Sequence, residues 1–256
     1  MVDSSSDPSL ALSLPAVQDT RIVTTAPDDG LPAHFRRVVS FHPRGGRLNP
    51  VQRRAFDTHA AAWYRDPADF DGPIDFPALF GRTADPVLEI GSGMGESTAR
   101  MAAARPDINL LAAEVYKPGV AQTLHHLNRV GARNVRLVRE DGVAVLTDLI
   151  APASLAEVWL FFPDPWPKTR HHKRRLVTPD FTELVASRLR KGGTFRLATD
   201  WETYAEQMLA ACTATKALRN ANAGWASRPA FRPPTRFERR GLAAGHVIRD
   251  LEFVRR

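Results

Sequence analysis

The rhythm of hydrophobic and polar positions changes near Pro86. Residues 1–33 are rich in Ser, Asp, Pro and Thr and hold no sustained period, which predicts a disordered tail. A basic stretch follows, "FRRVVSFHPRGGRLNPVQRRAFD" (35–57). It predicts a loop at Gly45 and Gly46 and a helix from about Pro50. From Pro86 onward, "PVLEIG", "NLLAAEV", "NVRLVRED", "LAEVWLFFP" and "TFRLATD" are apolar runs of strand length. Between and after them, "ESTARMAAAR", "PGVAQTLHHLNRVG", "PDFTELVASRLRKGG" and "WETYAEQMLAACTAT" have helical spacing, and "HVIRDLEFVRR" predicts a last strand. This alternation predicts an α/β fold on a mostly parallel sheet with helices on both faces. Ligands of such sheets sit at the carboxyl ends of the strands, so those ends are where chemistry is sought.

The first strand ends in "EIGSGMGES", with glycines at 91, 93 and 95 that let backbone approach a ligand closely. The spacing is G-x-G-x-G. A dinucleotide fingerprint would need a small residue where Glu96 stands, and a glutamate there repels a pyrophosphate. A cofactor without phosphate fits better. The second strand ends in Glu114, which can accept hydrogen bonds from ribose hydroxyls. The third ends in Glu140-Asp141-Gly142, where Asp141 is either a helix N-cap or an acceptor for an adenine amino group. With Glu89, these acids would surround an adenosine carrying positive charge. That describes S-adenosyl-L-methionine, and the reading is a Rossmann-like methyltransferase.

The fourth strand end reads "FFPDPWPKTRHHKRR" (161–175). Asp164 stands where the acceptor meets the methyl group, and its flanking prolines stiffen the turn. A carboxylate can accept two hydrogen bonds from the N1–H and N2–H₂ edge of guanine, and Trp166 offers a face on which a base can stack. The alternative is a structural turn over the core. Lys168, Arg170, Lys173, Arg174 and Arg175, with His171 and His172, are either phosphate contacts or a solvated face.

Composition narrows this further. A net charge of +7 suits a polyanionic partner. The single cysteine, Cys212, excludes a disulfide framework or a Cys-based zinc site within the chain, and it falls in an apolar helical pattern. His34, His42, His59, His125 and His126 are scattered, so no metal site is expected. The N-terminus lacks the pattern of a secretory signal, and no run approaches the ~18 apolar residues of a membrane span. A cytoplasmic monomer is the expectation.

"EIGSGMG", "FPDPWPKTRHHKRRL", "LATDW" and "PPTRFERRGLAAGHVIRDLEF" resemble, in order, the motifs of the tRNA (guanine-N7)-methyltransferases, over about residues 37–256. The resemblance implies a class I methyltransferase fold with a mostly parallel seven-stranded sheet and an antiparallel C-terminal strand. It implies one methyltransferase domain over 34–256, with a basic extension at 34–57. It implies tRNA as substrate and the variable-loop guanosine as target. Glu89, Glu114, Asp141 and Asp164 would surround the methyl donor, with Asp164 catalytic. Lys168, Asp200 and Thr235, Arg236, Phe237 and Glu238 would bind the substrate. One departure is Ser92, where the family pattern has a phenylalanine.

On the residues alone, the "TRFERRG" segment either reaches back over the substrate or is an edge turn. Arg36, Arg37, Arg44, Arg47, Arg53 and Arg54 either add RNA contacts or do not. A competing chemistry is methylation of an exocyclic base nitrogen, whose signature is Asn/Asp-Pro-Pro-aromatic. Here one proline separates Asp164 from Trp166. A non-catalytic RNA binder on a decayed fold would not need acids at four strand ends, and a small-molecule methyltransferase would not need the cationic run.

Overall fold

A computed structural model describes residues 46–243 and 245–256. The tail at 1–33 and the basic positions up to 45, among them Arg36, Arg37 and Arg44, lie outside the described residues. The helix expected from Pro50 is α1 (Pro50–Trp63). Asn49 caps it: its side chain accepts from the Gln52 N–H, and the Gln52 side chain accepts in return from the Asn49 N–H. Proline at the first helical position gives up no hydrogen bond.

The sheet has eight strands, one more than expected. In chain order they are β1 (Tyr64–Arg65), β2 (Asp85–Ile90), β3 (Ile108–Ala113), β4 (Val135–Val138), β5 (Leu155–Phe161), β6 (Leu189–Thr199), β7 (Leu218–Asn220) and β8 (Arg249–Arg255). Their order in space is β1-β4-β3-β2-β5-β6-β8-β7. β8 runs antiparallel to both β6 and β7, and the other pairs are parallel. Neither β1, two residues beside β4, nor β7, three residues beside β8, is among the runs that read as strands, and both are too short to leave a pattern in the sequence.

Period-two alternation sorts the strand side chains onto two cores. Val87, Leu110, Ala112 and Trp159 face a layer containing α3 (Glu96–Ala104) and α4 (Lys117–Val130), with α1 packed at its rim. Leu88, Leu111, Val158 and Leu160 face the opposite layer. It holds α2 (Phe76–Phe80), the short α5 (Gly142–Ala144), α6 (Pro179–Arg188) and α7 (Glu202–Ala214). Cys212 is buried in that layer, and burial pushes its thiol up to about 12, so it is inert.

The helix expected over "PDFTELVASRLRKGG" ends at Arg188. Leu189 already pairs with Leu155, and the register then slips before Glu157 meets Thr194. Gly192 has φ +79°, and a Cβ on Gly193 would lie 3.0 Å from the carbonyls of Leu155 and Ala156. Two adjacent glycines suit a bulged strand here, where the sequence reads as a helix ending.

The order reverses between β2 and β5, which opens a crevice at their carboxyl ends. No described helix is long and apolar enough to cross a membrane, and the described residues hold no cluster able to bind a metal ion.

Candidate functional site

A cavity of about 250 Å³ sits in this crevice. Gly91, Gly93 and Met94 line it after β2, Glu114 and Tyr116 after β3, Glu140 and Asp141 after β4, and Phe161, Phe162 and Asp164 after β5. Its described lining carries four carboxylates, Glu114, Glu140, Asp141 and Asp164, and no lysine or arginine. Such a wall favours a cation and repels a phosphate.

The glycine loop is positioned by backbone. Gly91, Gly93 and Gly95 have φ of +80°, +58° and +74°. A Cβ on Gly95 would lie 2.1 Å from the Thr123 hydroxyl of α4. Gly91 and Gly93 therefore face the ligand space, and Gly95 packs a helix against the loop. Glu114 Oε2 accepts from the Gly93 N–H at 2.6 Å and Oε1 accepts from the Tyr116 N–H at 2.8 Å. This acid holds two ligand loops as well as lining the cavity. Asp141 Oδ1 accepts from the N–H groups of Val143 and Ala144. It is the N-cap of α5 and a wall residue at once, so its two sequence readings do not exclude each other.

Glu89 is not on the cavity wall. It is buried beneath the glycine loop with its Oε2 unpartnered, and Ser92 Oγ is likewise buried without a partner. Burial pushes the Glu89 carboxyl up to about 7, the Thr98 hydroxyl offsets this in part, and Glu114 adds to it. Sequence reasoning missed Gly119 altogether. A Cβ there would lie 2.3 Å from the Gly93 carbonyl oxygen, so α4 approaches the loop with backbone. A glycine inside a helical pattern was the available signal.

Asp164 stands half-buried between two strained residues. Phe162 has φ +54° and Trp166 φ +45°. For side chains of this bulk each costs about 1–3 kcal/mol and persists only where neighbours enforce it. Trp166 is 3% exposed, with the Arg174 guanidinium 4.9 Å over its ring and His171 edge-on. It is part of the support for the turn, which corrects the expectation that it stacks a base.

Lys168, Arg170, Lys173 and Arg174 are exposed on or beside a 3₁₀ turn (Thr169–Arg174). Arg175 is not with them, a correction to its reading as an RNA contact. It is 3% exposed, and its guanidinium donates to the Pro165 and Thr203 carbonyls, the Gln207 side chain and the Thr203 hydroxyl. The run of charge looks uniform in sequence, and the turn geometry directs its last member inward.

Asp200, after β6, accepts from or pairs with His246 Nδ1 at 3.1 Å and is not among the lining residues of the cavity. "TRFE" forms the start of α8 (Arg236–Ala243). Thr235 Oγ1 accepts from the Glu238 N–H at 2.9 Å and Glu238 Oε2 accepts from the Thr235 N–H at 3.2 Å, a reciprocal capping box. Glu238 is also buried against Arg232 at 3.1 Å. The side chains of Arg236 and Phe237 lie outside the described residues.

Arg232 was not legible in the sequence. Its side chain is fully buried, with Nη2 donating to both Asp250 oxygens at 2.9 Å and Nη1 to Glu238. The guanidinium also lies 5.3 Å from the ring centres of Phe161 and Phe162, two walls of the cavity. Beside it, Phe231 stacks on Trp159 at 4.9 Å. These contacts carry α8 to the β5 end.

A family model described as "Putative methyltransferase" matches residues 83–251. Curated proteins named tRNA (guanine-N(7)-)-methyltransferase are similar over nearly the whole chain. One from Burkholderia cenocepacia (strain HI2424) is 48% identical over 90% of this chain and 89% of its own. One from Bordetella pertussis (strain Tohama I) is 48% identical over the same shares, and one from Paraburkholderia xenovorans (strain LB400) is 47% identical over 91% and 88%. Among solved structures, a mutant 16S rRNA (adenine(1408)-N(1))-methyltransferase from Catenulisporales acidiphilia, with cosubstrate SAM, is similar in fold. Its TM-score is 0.50 at 14% identity, over 71% of this chain and 90% of that one.

Proposed function

We propose, for a chain that belongs to the tRNA (guanine-N(7)-)-methyltransferase family, that it transfers the methyl group of S-adenosyl-L-methionine to N7 of a tRNA guanosine, in the variable loop. The observation that carries this reading is an acidic cavity, free of cationic side chains on its described wall, directly beside an exposed cationic turn. The cavity suits a donor bearing a sulfonium and an ammonium, and the turn suits the phosphates of a nucleic acid.

When bound, S-adenosyl-L-methionine supplies an electrophilic methyl carbon. Gly91 and Gly93, which line the cavity with Glu114 and Asp141, would offer backbone to the donor, while Glu114 would accept from its ribose hydroxyls and Asp141 from its adenine amino group. Glu89 acts from beneath the loop by holding the negative potential of the site. On the acceptor side, guanine N7 attacks with a free lone pair and loses no proton, so no general base is needed. The purine would become cationic as the N7–methyl bond forms and the methyl–sulfur bond breaks, the sulfur keeping that electron pair and leaving as the neutral thioether of S-adenosyl-L-homocysteine. Asp164, fixed at the cavity edge, stabilises that developing charge and accepts from the N1–H and N2–H₂ edge of the base. Orientation by the stiff Pro163-Asp164-Pro165 turn supplies much of the remaining rate. Lys168, Arg170, Lys173 and Arg174 hold flanking phosphates, and Asp200 with Thr235 and α8 borders the acceptor. One chain supplies all of these groups, so a monomer suffices, and the tRNA substrate makes the cytoplasm its place of action.

The test incubates the protein with bulk tRNA and methyl-labelled donor, digests to nucleosides and identifies the labelled one. Label in 7-methylguanosine is the expected result. Label in an adenosine or in an exocyclic guanine nitrogen overturns the assignment of Asp164.

A further inference from the structure

We infer that Arg175 is a positioning residue for Asp164 and does not bind RNA. The inference rests on the reading of Asp164 as the catalytic carboxylate. Its own foundation is geometric. The Asp164 turn runs through two left-handed residues, Phe162 and Trp166, neither of them glycine. A segment strained on both sides relaxes unless something outside it over-determines its path. At its first shoulder, the Phe162 N–H donates to the Ala198 carbonyl at 2.8 Å. At its second, Arg175 Nε donates to the Pro165 carbonyl at 2.9 Å, one residue from Asp164.

The rest of the Arg175 guanidinium is spent on α7. It donates to the Gln207 side chain at 2.9 Å and the Thr203 hydroxyl at 3.1 Å, and it lies 4.9 Å over the Tyr204 ring. The following segment is bound to the same helix: Tyr204 Oη accepts from the Val177 N–H, and Gln207 Nε2 donates to the Val177 carbonyl. A planar fork with five donors is the side chain that can join a carbonyl on one element to three acceptors on another. Arg175 thereby ties the turn bearing Asp164 to a core helix. Its neighbour Lys173 is exposed, and Arg174 is exposed with its guanidinium over the Trp166 ring, so one short cationic run divides between solvent-facing charge and active-site geometry.

The experiment compares Arg175→Ala, Arg175→Lys, Asp164→Asn, the double variant Asp164→Asn/Arg175→Ala, and Lys173→Ala. For each, tRNA affinity is measured across a salt series, and single-turnover methyl transfer is measured at saturating donor and tRNA. Arg175→Ala is expected to slow transfer about 10- to 100-fold. It should leave tRNA affinity within about twofold and its salt slope intact, where Lys173→Ala lowers the slope by about one. Arg175→Lys keeps the charge and cannot fork, so it recovers little of the rate. The double variant should be no slower than Asp164→Asn alone within about twofold, because Arg175 acts through Asp164.

A flattened salt slope with an unchanged saturated rate makes Arg175 an RNA contact and overturns the inference, as does a double variant slowed by the product of the two single losses. If Arg175→Ala does not fold, Thr203→Val/Gln207→Leu removes two of its anchors and keeps the charge; the same rate loss supports the clamp, and a full rate overturns it. Asp164→Asn at full rate overturns the catalytic reading and the inference together. Asp164→Asn slow with Arg175→Ala at full rate overturns the inference alone.

Discussion

On the donor side of the cleft, the ends of β2, β3 and β4 present backbone and carboxylates, and the close contacts are made by glycines: Gly95 against Thr123 and Gly119 against Gly93. On the acceptor side, the end of β5 and the start of α8 are held by guanidiniums that never reach solvent, Arg175 on the Pro165 carbonyl and Arg232 between Asp250, Glu238 and the Phe161 and Phe162 rings. The donor side suits a small cation, which glycine backbone and carboxylates held by backbone N–H groups can meet. At the β5 end one carboxylate, Asp164, stands on a strained turn beside exposed cations. There positive charge is placed twice, outside on Lys168, Arg170, Lys173 and Arg174 and inside on Arg175 and Arg232.

Arg232 tests the inward use most severely. Arg232→Met removes the bidentate partner of buried Asp250 and leaves Glu238 with the Thr235 N–H and the more distant Arg228, and burial already pushes the Asp250 carboxyl up against the lowering effect of Arg232. A loss of about 3–5 kcal/mol in denaturant unfolding is expected. A loss below about 1 kcal/mol would mean that α8 and β8 do not depend on this bridge.

Asp164→Asn keeps the shape and removes the charge. We expect turnover to fall about 10²–10³-fold with tRNA affinity retained. Equal loss of both would move Asp164 from chemistry to binding and erase the contrast between the two sides.

Gly119→Ala sharpens the donor side. Its Cβ would press the Gly93 carbonyl, which is backbone and cannot swing away. A stability loss of about 1–3 kcal/mol is expected, together with weaker donor binding by calorimetry. Donor affinity unaffected by the substitution would show that the loop has slack.

The gentlest test is pH. Glu89 has its carboxyl raised from 4.5 to about 7, so the folded state holds a proton that the unfolded chain has released between those values. Stability contributed by this group is therefore present below about pH 4.5 and is lost as pH rises through 7, about 3 kcal/mol in all. A cationic donor favours the ionised form. Its affinity should rise about tenfold from pH 6 to pH 8 and release a proton on binding. Glu89→Gln should flatten that profile; a slope that survives would assign it to another group.

Much of this was legible in the sequence, for particular reasons. Continuous apolar runs separated by helical spacing reported the sheet and its two cores, because both faces of the strands are covered. The G-x-G-x-G spacing reported a backbone-lined loop, because left-handed φ values restrict which residues can stand there. Acids at strand ends reported the charge of the cavity. β1 and β7 escaped because two or three residues have no period. The bulged start of β6 escaped because its residues also suit a helix end.

The sequence by itself therefore determined the layered α/β architecture, the glycine loop and the sign of the donor cavity, since each is written in local spacing that neighbouring residues suffice to express. Tertiary structure decided which arginines face solvent and which face the core, that Thr235 and Glu238 cap a helix, and that Glu89 lies under the site instead of on it. Those outcomes depend on what stands opposite each side chain: Thr203 and Gln207 for Arg175, Asp250 for Arg232. Those partners lie 18 to 32 residues away along the chain, beyond the reach of local spacing.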